Sequence, residues 1–174
     1  MEAIQIREAR REDAGDIHDL YRSVARKPGG LARLETEIPH DYIAKLQQNA
    51  ALSGLMLIAT ERSGGDTLLV GEIHAITPPL YCFSHVLSEL TIAVHPERQG
   101  SGIGRALFIE FMQRVQKDYE HITRVELISR ESNTKALSFY ESLGFEREGA
   151  MRNRIKNIDG SLECDIPMAW LRPE

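Results

Sequence analysis

Residues 88–105, Ser-Glu-Leu-Thr-Ile-Ala-Val-His-Pro-Glu-Arg-Gln-Gly-Ser-Gly-Ile-Gly-Arg, constrain this chain more than any other stretch. An apolar, partly β-branched run from Leu90 to Val94 ends before Pro96, and glycines at 100, 102 and 104 lead directly into a helical pattern. Strand, glycine loop and helix start, in that order, make an anion site. Glycine lets the backbone approach a ligand and adopt φ > 0, and the first helical turn carries N–H groups without partners and a partial positive charge. A pyrophosphate fits that description. Two better-known glycine loops do not match: a dinucleotide fingerprint begun at Gly100 needs glycine where Arg105 stands, and a P-loop needs a Gly-Lys-Ser/Thr triplet that is absent.

The segments on either side supply a sheet and helices. Ile4 to Ala9 alternates apolar and polar residues, as a half-buried strand does. Ala14, Ile17, Leu20, Tyr21 and Val24 then recur at helical spacing, with Glu12, Asp13 and Asp16 near the start, and Lys27-Pro28-Gly29-Gly30 stops the pattern. A second helix is expected after Pro39, carrying Tyr42, Ile43 and Leu46. Leu55–Glu61 and Leu68–Ile76 read as strands of a meander joined by a turn at 63–66. Thr77–His85 interrupts the pattern, and its Tyr81 and Phe83 either cover a core edge or line a substrate pocket. Beyond the glycines, Ile103, Leu107, Phe108, Phe111, Met112 and Val115 form an apolar helix face that packs on a sheet. Arg124–Ser129 is the next strand, and the intervening helix makes it a parallel neighbour of the strand ending at Val94 in a right-handed crossover. That order puts the glycine loop at the carboxyl end of a parallel strand, where open α/β sheets place ligands. Phe145–Ile155 and Leu162–Leu171 read as two strands joined around Asp159-Gly160, with Arg152, Arg154 and Lys156 alternating along one face of the first.

Gln99, Gly102 and Gly104 match the Arg/Gln-x-x-Gly-x-Gly/Ala signature, and Asn133-x-x-Ala136-x-x-Phe139-Tyr140-x-x-x-Gly144-Phe145 matches a second one farther on. In both signatures and in their order, the chain resembles the GNAT superfamily of acetyl-CoA-dependent N-acetyltransferases. The resemblance implies one α/β domain over residues 1–174. Its expected fold is a mixed, mostly antiparallel sheet of about seven strands, with a central parallel pair splayed around the cofactor and about four flanking helices. It implies acetyl-CoA bound by Ile92, Ala93, Val94, Gln99, Gly100, Ser101, Gly102, Ile103, Gly104, Arg105, Asn133, Ala136 and Tyr140, and it puts Leu31–Gln47 over the acceptor.

Acetyl transfer to an amine needs the neutral amine, and neutralising a lysine-like ammonium at pH 7 costs about 4 to 5 kcal/mol, against about 1 for an α-amine. A base is therefore expected. Glu89 resembles the glutamate that GNAT enzymes related to phosphinothricin and amino-acid acetyltransferases use, with Glu72 and His74 as rivals on the preceding strand. Tyr140 is placed as the acid for the leaving thiolate, and backbone amides around Ile92 and Val94 as the polarising donors for the thioester carbonyl. The expected activity is transfer of acetyl to a primary amine of a small molecule. Acetylation of a protein N-terminus or lysine, or a non-catalytic acyl-CoA-binding module, stands as the alternative.

The net charge of −5 speaks against non-specific nucleic-acid binding. With no apolar leader and no run near the length that spans a bilayer, a cytoplasmic protein without membrane contact is expected, as a monomer or homodimer. Cys82 and Cys164 have no metal-ligand spacing, so two reduced thiols and no metal are expected.

Overall fold

The glycine loop and the helix behind it belong to the first of two units into which the chain divides. The computed structural model describes residues 4–27 and 31–173, so the Pro28–Gly30 part of the predicted helix stop lies outside the described residues. One unit is built from residues up to Ile76 together with Thr91–Tyr119; the other comprises Thr77–Leu90 and the chain from Glu120 onward.

In the first unit β1 (Gln5–Glu8) pairs antiparallel with β2 (Gly54–Ser63), which pairs antiparallel with β3 (Asp66–Ile76). β4 (Val86–Val94) is the next neighbour of β3, and its end is fixed by the amide of His95 donating to the Val70 carbonyl at 2.9 Å. Two layers of side chains cover this sheet. On one face α1 (Ala14–Ala25) and α2 (Tyr42–Ser53) bring Ile17, Leu20, Tyr21, Val24, Ile43 and Ala50 against Met56, Ile58 and Ala93. Periodicity predicts that α1 face. Of the acidic residues before it, Asp13 anchors the chain entry, accepting from both terminal nitrogens of the Arg7 guanidinium at 2.7 and 2.8 Å and from the Arg10 amide at 2.6 Å. The hydrogen bonds from Arg7 hold the Asp13 carboxyl below the usual carboxylate range. On the other side of β3, α3 (Ile103–Asp118) lies so close that a Cβ at Gly71 would meet Leu107 at 2.7 Å and Ile103 at 3.2 Å. A side chain at Gly71 would have to displace Leu107 or Ile103, both buried.

In the second unit the start of β4 runs parallel to β5 (Arg124–Arg130), with pairs Val86↔Arg124 and Leu87↔Val125. β5 pairs along its whole length with β8 (Leu162–Leu171), antiparallel. α4 (Thr134–Glu141) follows β5, capped by Asn133, whose side-chain oxygen accepts from the Ala136 amide at 3.3 Å. It stops as the sequence predicts, with Gly144 at φ 87° and Phe145 buried.

Two expectations fail in this unit. The strand predicted over Phe145–Ile155 is two pieces, β6 (Glu146–Arg147) and β7 (Met151–Lys156), both paired with β8. Gly149 at φ 150° lies in the break. The regular basic face of Arg152, Arg154 and Lys156 does not form either. The register shifts between Met151 and Ile155, Asn153 sits at φ 56°, and Arg152, Asn153 and Arg154 are all exposed. A bulge inserts unpaired residues and destroys the alternation that a face requires. Among the described residues the strands number eight, the short β6 being the one added to the expected seven. Between β3 and β4, Leu80 and Tyr81 are exposed rather than laid over a core edge, Tyr81 at 94%. Cys82 and Cys164 are free thiols. Among the described residues no helix is long and apolar enough to cross a membrane.

Candidate active site

In the first unit, β4 ends and the chain makes one tight turn, Pro96–Arg98, before the glycines. Three contacts fix it. The Arg98 amide donates to the His95 carbonyl at 2.8 Å, the Gln99 side chain donates to the Val94 carbonyl at 3.2 Å, and the Arg98 guanidinium clasps Glu61 of β2 at 2.6 and 2.7 Å. Gly100 and Gly102 stand at φ 81° and 90°, left-handed conformations that a side chain would strain. Gly102 is the N-cap of α3, and the first helical bond runs from the Ala106 amide to the Gly102 carbonyl at 3.0 Å. The amides of Ile103, Gly104 and Arg105 thus precede the first intrahelical bond.

This loop fits a diphosphate. Nothing lies within 4 Å of where a Cβ would stand at Gly100 or Gly102, so the space a side chain would fill is open. Gly104 is different: a Cβ there would touch Val94 at 3.4 Å and Ile92 at 3.8 Å, which packs the helix start onto the strand end. Gln99 serves as a clasp, with its side chain turned back to β4. The Arg98 guanidinium is committed to Glu61, which is held below the usual carboxylate range by that hydrogen bond. Arg105 is exposed and has no ion pair among the described residues, leaving its charge for an anion. Ile92, Ala93, Val94 and Gln99–Arg105 are therefore brought together as one continuous strand-to-helix corner.

The remaining predicted residues lie in the second unit. Tyr140 is 9% exposed, with ring centroids 5.6 Å from Phe139 and 6.1 Å from Phe145, and burial pushes its phenol up to about 12. Asn133 and Ala136 are joined by the capping bond, so the Asn133 side-chain oxygen serves α4 itself. Glu89 stands exposed on β4 at φ 56°, a left-handed conformation that is rare without glycine.

The rivals for the base are placed very differently. Glu72 is 0% exposed and His74 3%, both on the α1 face of β3, where their cross-strand partners are Ile58 and Met56. Tyr21 of α1 donates to Glu72 Oε2 at 2.7 Å, and His74 Nδ1 lies 3.0 Å from Glu72 Oε1. Helical spacing alone reads Tyr21 as one more core position. The signal for its partners is a polar residue at every second position, 72 and 74, of an otherwise apolar strand. Among the described residues no three His, Cys, Asp or Glu side chains are grouped to hold a metal ion.

A family model for the acetyltransferase (GNAT) domain matches residues 54–147, more than half of the chain and inclusive of both signatures. The chain is 38% identical over 84 residues to the [ribosomal protein bS18]-alanine N-acetyltransferase of Escherichia coli K12, covering 47% of this chain and 55% of that one. It is 36% identical over 102 residues to the N-alpha-acetyltransferase RimI of Mycobacterium tuberculosis, covering 58% of each. The matches thus span little more than half the length of these relatives. Among solved structures, a GNAT-family acetyltransferase from Streptococcus pneumoniae superposes with a TM-score of 0.85 at 20% identity, covering 97% of this chain and 99% of that one. A phosphinothricin acetyltransferase from Sinorhizobium meliloti, solved with acetyl-CoA, gives 0.82 at 19% identity and covers 98% and 89%. At such identities these two neighbours speak to the fold. The signatures, the family match and the shared fold agree: the chain belongs to the GNAT acetyltransferase family.

Proposed function

We propose that this protein moves the acetyl group of acetyl-CoA directly to a primary amine of a small molecule. The observation that carries the reading is the strand-to-helix corner at Val94–Arg105: two left-handed glycines, three amides ahead of the first helical bond, and an exposed arginine without an ion pair among the described residues. Ile103, Gly104 and Arg105 would hold the diphosphate through their amides, and charge-assisted bonds of this kind contribute about 1.5 to 3 kcal/mol each. Bound there, acetyl-CoA supplies an activated thioester. Backbone amides of β4 between Ile92 and Val94 polarise its carbonyl, a role that needs no side chain. Asn133 and Ala136 shape the start of α4 along which the pantetheine arm is placed.

Glu89, exposed on its kink, takes a proton from the acceptor's ammonium and passes it to water. The nitrogen then forms the C–N bond as the C–S bond breaks, and its second proton leaves as the neutral amide forms, matching the proton that the released thiolate takes up. Tyr140 meets the leaving sulfur. A phenol at about 12 holds its proton more tightly than a thiol near ~8.5, and full transfer between them in water would cost about 5 kcal/mol. Tyr140 therefore stabilises the thiolate as a hydrogen-bond donor that stays protonated at every working pH.

The names of the relatives favour a second reading, an α-amine at a protein N-terminus. The family match begins at residue 54 and leaves out α1 and α2, so it says little about the acceptor side. A panel of free amino acids, polyamines, aminoglycosides and alanine-initiated peptides separates the readings, with thiol release from acetyl-CoA as the measurement. Release that depends on a small amine supports the proposal, and release only with peptides replaces it by the second reading. Binding of acetyl-CoA without release under any amine marks an acyl-CoA-binding module.

A further inference from the structure

The buried cluster of Tyr21, Glu72 and His74 has no part in the steps above. Glu72 is fully buried and receives a donor on each oxygen: the Tyr21 hydroxyl at 2.7 Å on Oε2 and the His74 ring at 3.0 Å on Oε1. All three side chains lie in one unit, tied between α1 and β3. The hydrogen bonds of the imidazole with described residues run through Nδ1 alone. A carboxylate bonded to Nδ1 fixes the proton on that nitrogen, leaves the lone pair on Nε2, and stabilises the imidazolium that forms when Nε2 takes a proton. This is the arrangement of an oriented base.

Its place in the sheet connects it to the reacting strand. The partners of His74 and Glu72 across β2 are Met56 and Ile58, and Ala93 of β4 packs in the same cluster as those two residues. The dyad therefore shares one face of the sheet with Ala93, whose neighbours Ile92 and Val94 turn to the start of α3 on the other face. From the elements around it, α1 contributes Tyr21, α2 contributes Tyr42 with its ring 6.1 Å from that of Tyr21, and Arg33 stands over Tyr42 at 4.5 Å. Met56 and Ile58 of β2 and Ala93 of β4 pack in the same apolar cluster as Tyr21. Burial and then the charge of Glu72 push the Tyr21 phenol well above its ordinary value, so it remains a donor to the carboxylate.

We infer that His74, oriented by Glu72 and Tyr21, is a second proton acceptor of the acetyl transfer. The inference rests on the acetyl-transfer reading. An ammonium R–NH₃⁺ ends as R–NH–COCH₃, so its nitrogen gives up two protons while the C–N bond forms and the C–S bond breaks. Glu89 takes the first and releases it to water. His74 Nε2 takes the second through one water, since the ring is only 3% exposed, and that proton is the one the departing thiolate acquires. No oxidant or further reactant is needed.

The test compares His74→Gln, Glu72→Gln and Tyr21→Phe by kcat against pH with both substrates saturating, by acetyl-CoA titration, and by melting temperature. His74→Gln should lower kcat roughly 10²-fold, the low end for a positioned base, and should remove one titration from the acid limb while acetyl-CoA affinity is kept. Glu72→Gln should move the limb to lower pH, because the imidazolium loses its carboxylate. Tyr21→Phe should move it slightly to higher pH, because the carboxylate loses a competing donor and serves the imidazolium alone. Opposite displacements are not what a structural cluster produces. A lowered melting temperature with an unmoved limb in all three variants overturns the inference, as does wild-type kcat in folded His74→Gln. If His74→Gln does not fold, the two directions in Glu72→Gln and Tyr21→Phe decide. Failure of the acetyl-transfer reading looks different: the wild-type protein would then show no amine-dependent turnover.

Discussion

Tyr140 combines two properties that point in opposite directions for an acid. Burial among Phe139 and Phe145 keeps its proton on, and the same burial makes that proton hard to give away. Tyr140→Phe should accordingly lower turnover by roughly 10²-fold, the low end for a positioned donor, with acetyl-CoA affinity unchanged. Wild-type turnover in the variant would return Tyr140 to the core. Stability supplies an independent check. The folded phenol sits at about 12 and the unfolded one near ~10, so the folded state holds the extra proton between those values. Its contribution is present in full below pH ~10 and is lost as pH rises toward 12, on the order of 3 kcal/mol in all. Tyr140→Phe should lack that alkaline loss in urea titrations taken at several pH values. For Glu89 as the base, Glu89→Gln should lose most activity toward high-pKa amines and recover it as pH approaches the amine's own pKa. A uniform loss that high pH does not rescue would make Glu89 a structural residue.

At the scale of elements, the strand-to-helix corner is held by its neighbours as much as by its glycines. Glu61 of β2 clasps Arg98, whose carbonyl accepts both the amide and the hydroxyl of Ser101. Glu61→Gln should raise KM for acetyl-CoA about two- to five-fold, the effect of a partly exposed ion pair, with kcat little changed. Steady-state kinetics with acetyl-CoA varied checks this; an unchanged KM would show that the loop keeps its shape without the clasp. In the other unit Glu163 of β8 does the same for the entry to α4, accepting from Arg130 at 2.7 Å and from the Ser132 amide at 3.2 Å. The elements themselves were largely legible. Helical spacing located α1, α3 and α4, and Asn133 and Gly144 marked the ends of α4 because caps are local chemistry. The break between β6 and β7 was not legible as a pattern of apolar residues, since it depends on backbone angles at Gly149 and Asn153. Both residue types tolerate φ > 0 more readily than others, and that tolerance is the signal for the break.

For the whole molecule, legibility follows sequence separation. Strand, glycine loop and helix are consecutive, so the strand-to-helix corner was legible in residues 88–105 without knowledge of any long-range contact. The Tyr21 and Glu72 side chains meet across 51 residues, and only the packing of α1 on β3 makes their partnership visible. The acceptor is subject to the same limit, because α1 and α2 lie outside the stretch that the family model matches. What everything else depends on is that the corner at Gln99–Arg105 holds acetyl-CoA. Gly102 and Gly160 offer a matched pair for testing it: φ is 90° and 86°, with nothing within 4 Å of a Cβ at either. Valine imposes the same backbone strain at both sites, one in the corner and one in the β7–β8 turn. Calorimetric titration with acetyl-CoA should give wild-type affinity for Gly160→Val and a loss of at least about 10-fold for Gly102→Val, the equivalent of one charge-assisted bond. Equal affinity in wild-type protein and folded Gly102→Val would contradict the account.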